Sequence, residues 1–250
     1  MHVISDTFWL QKRGSTADEY EDAASPAEPV DAELRVFRAA TADGATEASF
    51  SGRWALNLAA AYHNGTLSSS HFRRRLPALA AQWDADLPKH SLPWYALDKL
   101  ARGAFSSLLG ITLSDAGDGE NGEWTALAVG DSCCFQTRGD FLLAAFPIAS
   151  AKQFDNHPAL ISTDAAANAV LSSAAKRHKG TWRVGDRFLV MTDALALWFM
   201  TSVEEGDRPW TILHEFHTDQ KEEFSTWVSE EREGNRMHND DTTLIRIDLV

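Results

Sequence analysis

Cysteine is nearly absent. The chain of 250 residues has two, adjacent at Cys133 and Cys134. Neighbouring cysteines rarely bridge one another, so no disulfide framework is expected and a reducing, cytoplasmic setting fits. Long hydrophobic runs are missing as well: the longest, "FLLAAFPIA" at Phe141–Ala149, falls far short of the ~20 residues of a membrane-spanning helix. The opening "MHVISDTFWLQKRG" has no basic start leading into an apolar stretch, so no signal peptide is expected. Positive charge is scarce. Lys and Arg total 23 against 36 Asp and Glu, a net charge of −13, which argues against nonspecific nucleic-acid binding and against anionic membranes. The acids are not gathered into one tail, and the chain has no internal repeat and no low-complexity segment.

What is present builds a core. Hydrophobic residues make up 44% of the chain and nine are Trp, enough for a globular protein, read as one domain over residues 1–250. Phe37 to Ala42 reads as a buried strand. The successive runs "AFSSLLGITLS", "WTALAVGD", "SCCFQTRGD" and "FLLAAFPI" read as an antiparallel meander, its first turn the polar "SDAGDGENGE". "DRFLVMTD" and "TTLIRIDLV" read as two later strands. Helices are expected in "SFSGRWALNLAAAYHNG", with Trp54, Leu58 and Ala61 on one stripe and Gly65 closing it, and in "SHFRRRLPALAAQWDADL" with a break at its proline. Three more are expected in "WYALDKLARGA", "DAAANAVLSSAAKRHKG" and "DQKEEFSTWVSEEREG". Strands in blocks and helices between them imply an α/β chain of the layered α+β kind, sheets central and helices outside.

Acids recur in one kind of place. Glu21-Asp22 lies in "ADEYEDAAS", Asp43-Gly44 closes a strand, Asp131 sits in the turn "VGDS", Asp193 follows the strand "RFLVMTD", and Asp240-Asp241 precedes the last strand. Any one of these, taken alone, is more often a turn aspartate or helix N-cap than a ligand. Together, carboxylates at the ends of neighbouring strands can converge in a cleft, and hard oxygen ligands select Mg²⁺ or Mn²⁺ over zinc.

The ordered set "EDA", "ADG", "VGDS", "TDALALW" and "NDDTTLIRI", running from about Trp9 to the C-terminus, resembles the signatures of the metal-dependent protein phosphatases, the PPM or type 2C family. The resemblance implies a central antiparallel β-sandwich flanked by helix pairs. It also implies a serine/threonine protein phosphatase that hydrolyses phosphomonoesters by a water activated between two Mg²⁺ or Mn²⁺ ions, with a weaker third ion. Carried over by residue, it gives Asp43 the position bridging two ions, Glu21 and the Gly44 carbonyl one side of the pair, and Asp193 and Asp240 the other. Asp22 becomes a supporting acid that orders water, and Asp131 shares the third ion with Asp193. A phosphoprotein substrate and a cognate Ser/Thr kinase system are the implied partners.

The chain departs from the animal members at three points. Ala17 stands where an Arg holds the substrate phosphate, which leaves Arg13, or Lys12, as the candidate base; Ala45 stands where a His follows the D-G; and Ala194 follows Asp193 where Gly is usual. The alternative is a catalytically weak pseudophosphatase acting as a regulatory phosphoprotein-binding module. Three other chemistries fit less well. A serine esterase with a G-D-S block would need a D-x-x-H near its end, and there is none. A cysteine phosphatase needs C-x5-R, and Arg138 stands at the wrong spacing from both cysteines. His214 and His217 are three apart, not the four of an H-E-x-x-H zinc site, and read as surface or cap residues. Arg73-Arg74-Arg75 reads as a solvated helix face or a partner contact.

Overall fold

The computed structural model describes residues 1–45, 50–88, 100, 102–155 and 157–250. Its strands are β1 (His2–Leu10), β2 (Asp22–Ser25), β3 (Val30–Glu33), β4 (Val36–Asp43), β5 (Phe105–Ser106), β6 (Leu108–Asp115), β7 (Asn121–Val129), β8 (Cys133–Arg138), β9 (Phe141–Phe146), β10 (Ile161–Ser162), β11 (Lys176–Arg183), β12 (Asp186–Met191) and β13 (Thr242–Leu249). The longer helices are α1 (Ser51–His63), α2 (Phe72–Ala85), α3 (Asp193–Glu205) and α4 (Lys221–Glu233). One sheet runs β3-β1-β13-β12-β8-β9 and the other β11-β7-β6-β4-β2, all neighbours antiparallel, with β5 and β10 forming a small separate pair.

Alternation along the strands builds three apolar layers, since successive side chains point to opposite faces. On β4, Phe37 and Ala39 enter the core between the sheets with Ile111, Trp124, Phe188 and Ile245. Ala40 and Ala42 face the other way, and their small size lets α1 approach with Trp54, Leu58 and Ala61. On the opposite sheet, Phe8, Phe135, Leu189 and Met191 meet Leu195, Phe199, Phe224 and Val228 of α3 and α4. The result is the expected sandwich with helices on both outer faces.

Several expectations need correction. The four central runs do not make one meander: β6-β7 is a hairpin of one sheet and β8-β9 a hairpin of the other. The turn at Gly130-Asp131-Ser132 carries the chain from sheet to sheet, and Gly130, at φ +103°, supplies backbone that other residues rarely adopt. Cys133 therefore faces the helix layer and Cys134 the sandwich core. The helix expected through Lys176–Gly180 is instead β11, held by its ladder to β7 from Lys176↔Ala128 to Arg183↔Asn121 and by burial of Trp182. Pro77 does not break α2, because Phe72, Leu76, Leu79 and Trp83 form one buried stripe across it. The helix expected over residues 94–104 falls largely outside the described residues.

Candidate metal centre

The acids meet at one end of the sandwich because the ladders put them there. Asp22 opens β2 and pairs in register with Asp43, the last residue of β4. Cys133, just past the Asp131 turn, pairs with Met191, and Met191 pairs with Leu244, so the starts of β8 and β13 share an edge with the end of β12. Asp193 then opens α3, its Oδ1 accepting from the Ala194 N–H at 2.7 Å. One carboxylate oxygen from each of Asp43, Asp131 and Asp193 lies within 4.8 Å of the others. The cleft, of about 320 Å³, is lined by these three with Gly44, Asp155, Pro158, Leu160, His238, Asp240 and others.

Hydrogen bonds hold its walls. Ser107 donates its hydroxyl to the Ser132 side or accepts from it at 3.0 Å and accepts the Asp43 N–H at 3.0 Å, tying β4 to the Asp131 turn. Asp22 is buried, its Oδ2 accepting from the hydroxyls of Thr192 at 2.8 Å and Thr243 at 2.6 Å. Asp241 accepts the backbone N–H groups of Lys12 at 2.8 Å and Glu21 at 2.7 Å, and so fixes the strand-to-strand link that presents Glu21. Gly44 must be glycine for space: a Cβ there would stand 2.6 Å from the Ser51 carbonyl carbon and 2.8 Å from the Glu21 oxygen. Gly44→Ala is expected to force β4 and the α1 start apart, costing about 2 kcal/mol, and a thermal melt in EDTA checks this without reference to activity.

No family model and no curated protein matches the sequence. Solved structures match across nearly the whole chain. The serine/threonine phosphatase PstP/Ppp of Mycobacterium tuberculosis is 16% identical with a TM-score of 0.58, the match covering 100% of this chain and 99% of that one. The catalytic domain of PstP in complex with two manganese ions is 16% identical with a TM-score of 0.57, covering 99% of each chain. RsbX in complex with magnesium is 18% identical with a TM-score of 0.51, covering 100% and 96%. This chain has the PPM, type 2C phosphatase fold.

Within that type 2C fold the cleft is electrostatically strained. Burial raises the Asp131 carboxyl to about 7, helped by the charge of Asp193. Burial raises Asp193 to about 6, with Asp240 adding to it. Asp43 and Asp22 are pushed well above the usual carboxylate range, by burial first and by their acidic neighbours second. A set of carboxylates that cannot all ionise in water-poor surroundings, and that offers oxygen donors only, fits a hard divalent cation.

The remaining candidates lie around this centre. Glu21 lines a neighbouring cleft with Lys12, Tyr20 and Arg53. Arg13 is exposed, its guanidinium 3.9 Å from Glu233, and it is not among the described lining residues of the acidic cleft. Asp155 and His238 do line it, and sequence reasoning missed both. His238 stands two residues before Asp240, but nothing in its spacing distinguishes it from a surface histidine. Both thiols are buried and pushed up by that burial, which leaves neither as a nucleophile. His214 closes a short helix and reaches Thr137 Oγ1 at 3.0 Å, while His217 lies against Arg246.

Proposed function

We propose that the protein is a divergent PPM-family enzyme, a cytoplasmic Mg²⁺- or Mn²⁺-dependent phosphatase of phosphoserine and phosphothreonine proteins. The observation that carries this reading is the convergence of Asp43, Asp131 and Asp193 oxygens within 4.8 Å at one end of a type 2C sandwich. The manganese bound by PstP and the magnesium bound by RsbX support the choice of ion. In this reading the residues that would hold the ions are Asp43, Asp193 and Asp240, with Glu21 and the Gly44 carbonyl beside them. Ions held there would supply Lewis acidity, lowering the pKa of an attacking water and offsetting charge in a displacement at phosphorus. Asp22, held by two threonine hydroxyls, keeps the β2 end rigid behind Asp43. No helix among the described residues is long and apolar enough to cross a membrane.

A second reading rests on its own observation. Among the described residues lining the cleft there is no Lys or Arg to hold a phosphate, and His238 is the lining group able to donate to one. A protein that kept its ions but lost its phosphate base would be a phosphoprotein-binding module. Phosphate release from phosphoserine and phosphothreonine peptides separates the two. The enzyme releases phosphate with Mn²⁺ and none with EDTA; the module binds Mn²⁺ and the peptide and releases nothing.

Asp131 distinguishes catalysis from assembly of the ion pair. It belongs to the turn between sheets, and the hydrogen bond of Cys133 Sγ to its carbonyl at 3.2 Å involves only its backbone. Asp131→Ala is expected to leave two tight Mn²⁺ sites by calorimetry while lowering kcat about 10²-fold with little change in KM, since it removes stabilisation made in the transition state.

A further inference from the structure

In a chain of net charge −13, one face concentrates arginine. Arg73, Arg74 and Arg75 are exposed in the first turns of α2, where acids are absent and the positive end of the helix dipole makes cations unfavourable. No ion pair joins them to a described residue. Arg177 of β11 reaches the same face, its guanidinium 5.8 Å from the Phe72 ring centroid and its Nε donating to the Ser69 carbonyl at 3.0 Å. Beside them opens a groove of about 390 Å³ lined by Arg73, Arg74, Leu76, Pro77, Thr163 and Asn168, among others. The nearest acid in sequence to that wall, Asp164, turns its Oδ1 back to the Ala166 N–H at 2.9 Å. Thr163 Oγ1 accepts the Ala104 N–H, and Asn168 accepts the Ser162 N–H and donates to the Ser162 carbonyl, so both side chains are anchored and the two guanidinium groups supply the positive charge of the groove's described lining.

One stretch of chain joins this groove to the acidic cleft. Asp155, Pro158 and Leu160 line the cleft; Thr163, Ala165, Asn168 and Ala169 line the groove. Leu160 and Thr163 are three residues apart in the chain, a separation of at most about 11 Å. An extended peptide with its phosphorylated residue in the cleft would need only a few residues to reach the arginines.

We propose that the groove between α2 and the Thr163–Ala169 segment docks an acidic stretch of the phosphoprotein substrate, a few residues from the phosphorylated Ser or Thr. The proposal rests on the phosphatase reading and deepens it: the cleft supplies the chemistry and the groove the choice of substrate. Charge complementarity carries it. A protein of net charge −13 repels acidic partners overall, and arginines at a helix start destabilise the helix until an anion meets them.

The test uses the full chain and two phosphoserine peptides, one flanked on both sides by glutamates beginning four residues out, the other by serine and glycine. The wild type is expected to show a KM about 10-fold lower for the acidic peptide, a preference that fades with added salt. Arg73→Glu/Arg74→Glu should erase the preference while hydrolysing p-nitrophenyl phosphate as before. It folds, because glutamate in a first helical turn suits the dipole, and a melt verifies this. Fluorescence anisotropy of a labelled, unphosphorylated acidic peptide tests the groove independently of turnover. If hydrolysis is absent but this peptide binds the wild type and not the variant, the phosphatase reading fails and the groove stands. Equal affinity for the two peptides in the wild type, or the same preference in the variant, overturns the proposal. So does binding to phosphatidylserine vesicles with none to the acidic peptide.

Discussion

Replacing Asp43 with Asn is expected to lower phosphate release by at least ~10³-fold, the scale lost when a group stabilising transition-state charge is removed, and to raise the melting temperature in EDTA. Both effects have one cause. Asp43 sits at the end of β4, in register with Asp22 and within 4.8 Å of oxygens on Asp131 and Asp193. Its carboxylate is destabilised by burial and by each of those neighbours. With cations present, that concentration of charge would hold them; without cations, it strains the fold. The amide keeps the shape and loses the charge, so ion binding and stability move in opposite directions. Activity assays and EDTA melts on the same preparation check this, and an active variant, or one that melts lower in EDTA, contradicts it.

The metal-free protein should also be more stable at pH 6 than at pH 8, by about 1 kcal/mol. Unfolded aspartates titrate near 3.9, whereas folded Asp131 holds its proton to about 7 and Asp193 to about 6. Between those limits the folded state binds more protons than the unfolded one. The stabilising contribution is therefore complete below pH ~4 and is lost as pH rises through 6 and 7. His214 acts in the other direction: burial lowers it to about 3, so charging it opposes folding as pH drops below its unfolded value. Between pH 8 and pH 6 that opposition amounts to about 0.8 kcal/mol against about 1.8 kcal/mol from the two aspartates, and the aspartates win. The expected rise in melting temperature is roughly 2–4 °C for a chain of this size. Saturating Mn²⁺ should reverse the trend, because cations bind the deprotonated carboxylates and gain affinity toward neutral pH. A metal-free melting curve that is flat across this window would mean the acids do not repel one another.

Much of this acidic cleft is legible in the sequence, for a physical reason. Asp43, Asp131, Asp193 and Asp240 are local: each follows or precedes a strand whose alternation is visible in sequence, so its position at a sheet end could be read directly. The strands that were missed fail that test. In β1, buried Asp6 pairs with buried Arg246 at 2.7 Å, and the charge hides the strand's apolar face. In β11 the run Lys176–Lys179 looks like a solvated helix end; its ladder to β7 overrides that preference. The sheet change at Gly130 and the bonds from Asp241 to Lys12 and Glu21 depend on residues far apart in the chain. The same holds for Asp155 and His238, which join the cleft only through tertiary packing.

The central claim is that the acidic cluster works as a divalent metal centre, and the most direct test is p-nitrophenyl phosphate hydrolysis by metal-stripped protein as Mn²⁺ is added. The account predicts a background rate without metal, a saturable rise with Mn²⁺ in the wild type, none in Asp43→Asn, and full loss on adding EDTA. Hydrolysis at the same rate in the presence of EDTA, or an Asp43→Asn protein that responds to Mn²⁺ as the wild type does, would contradict it.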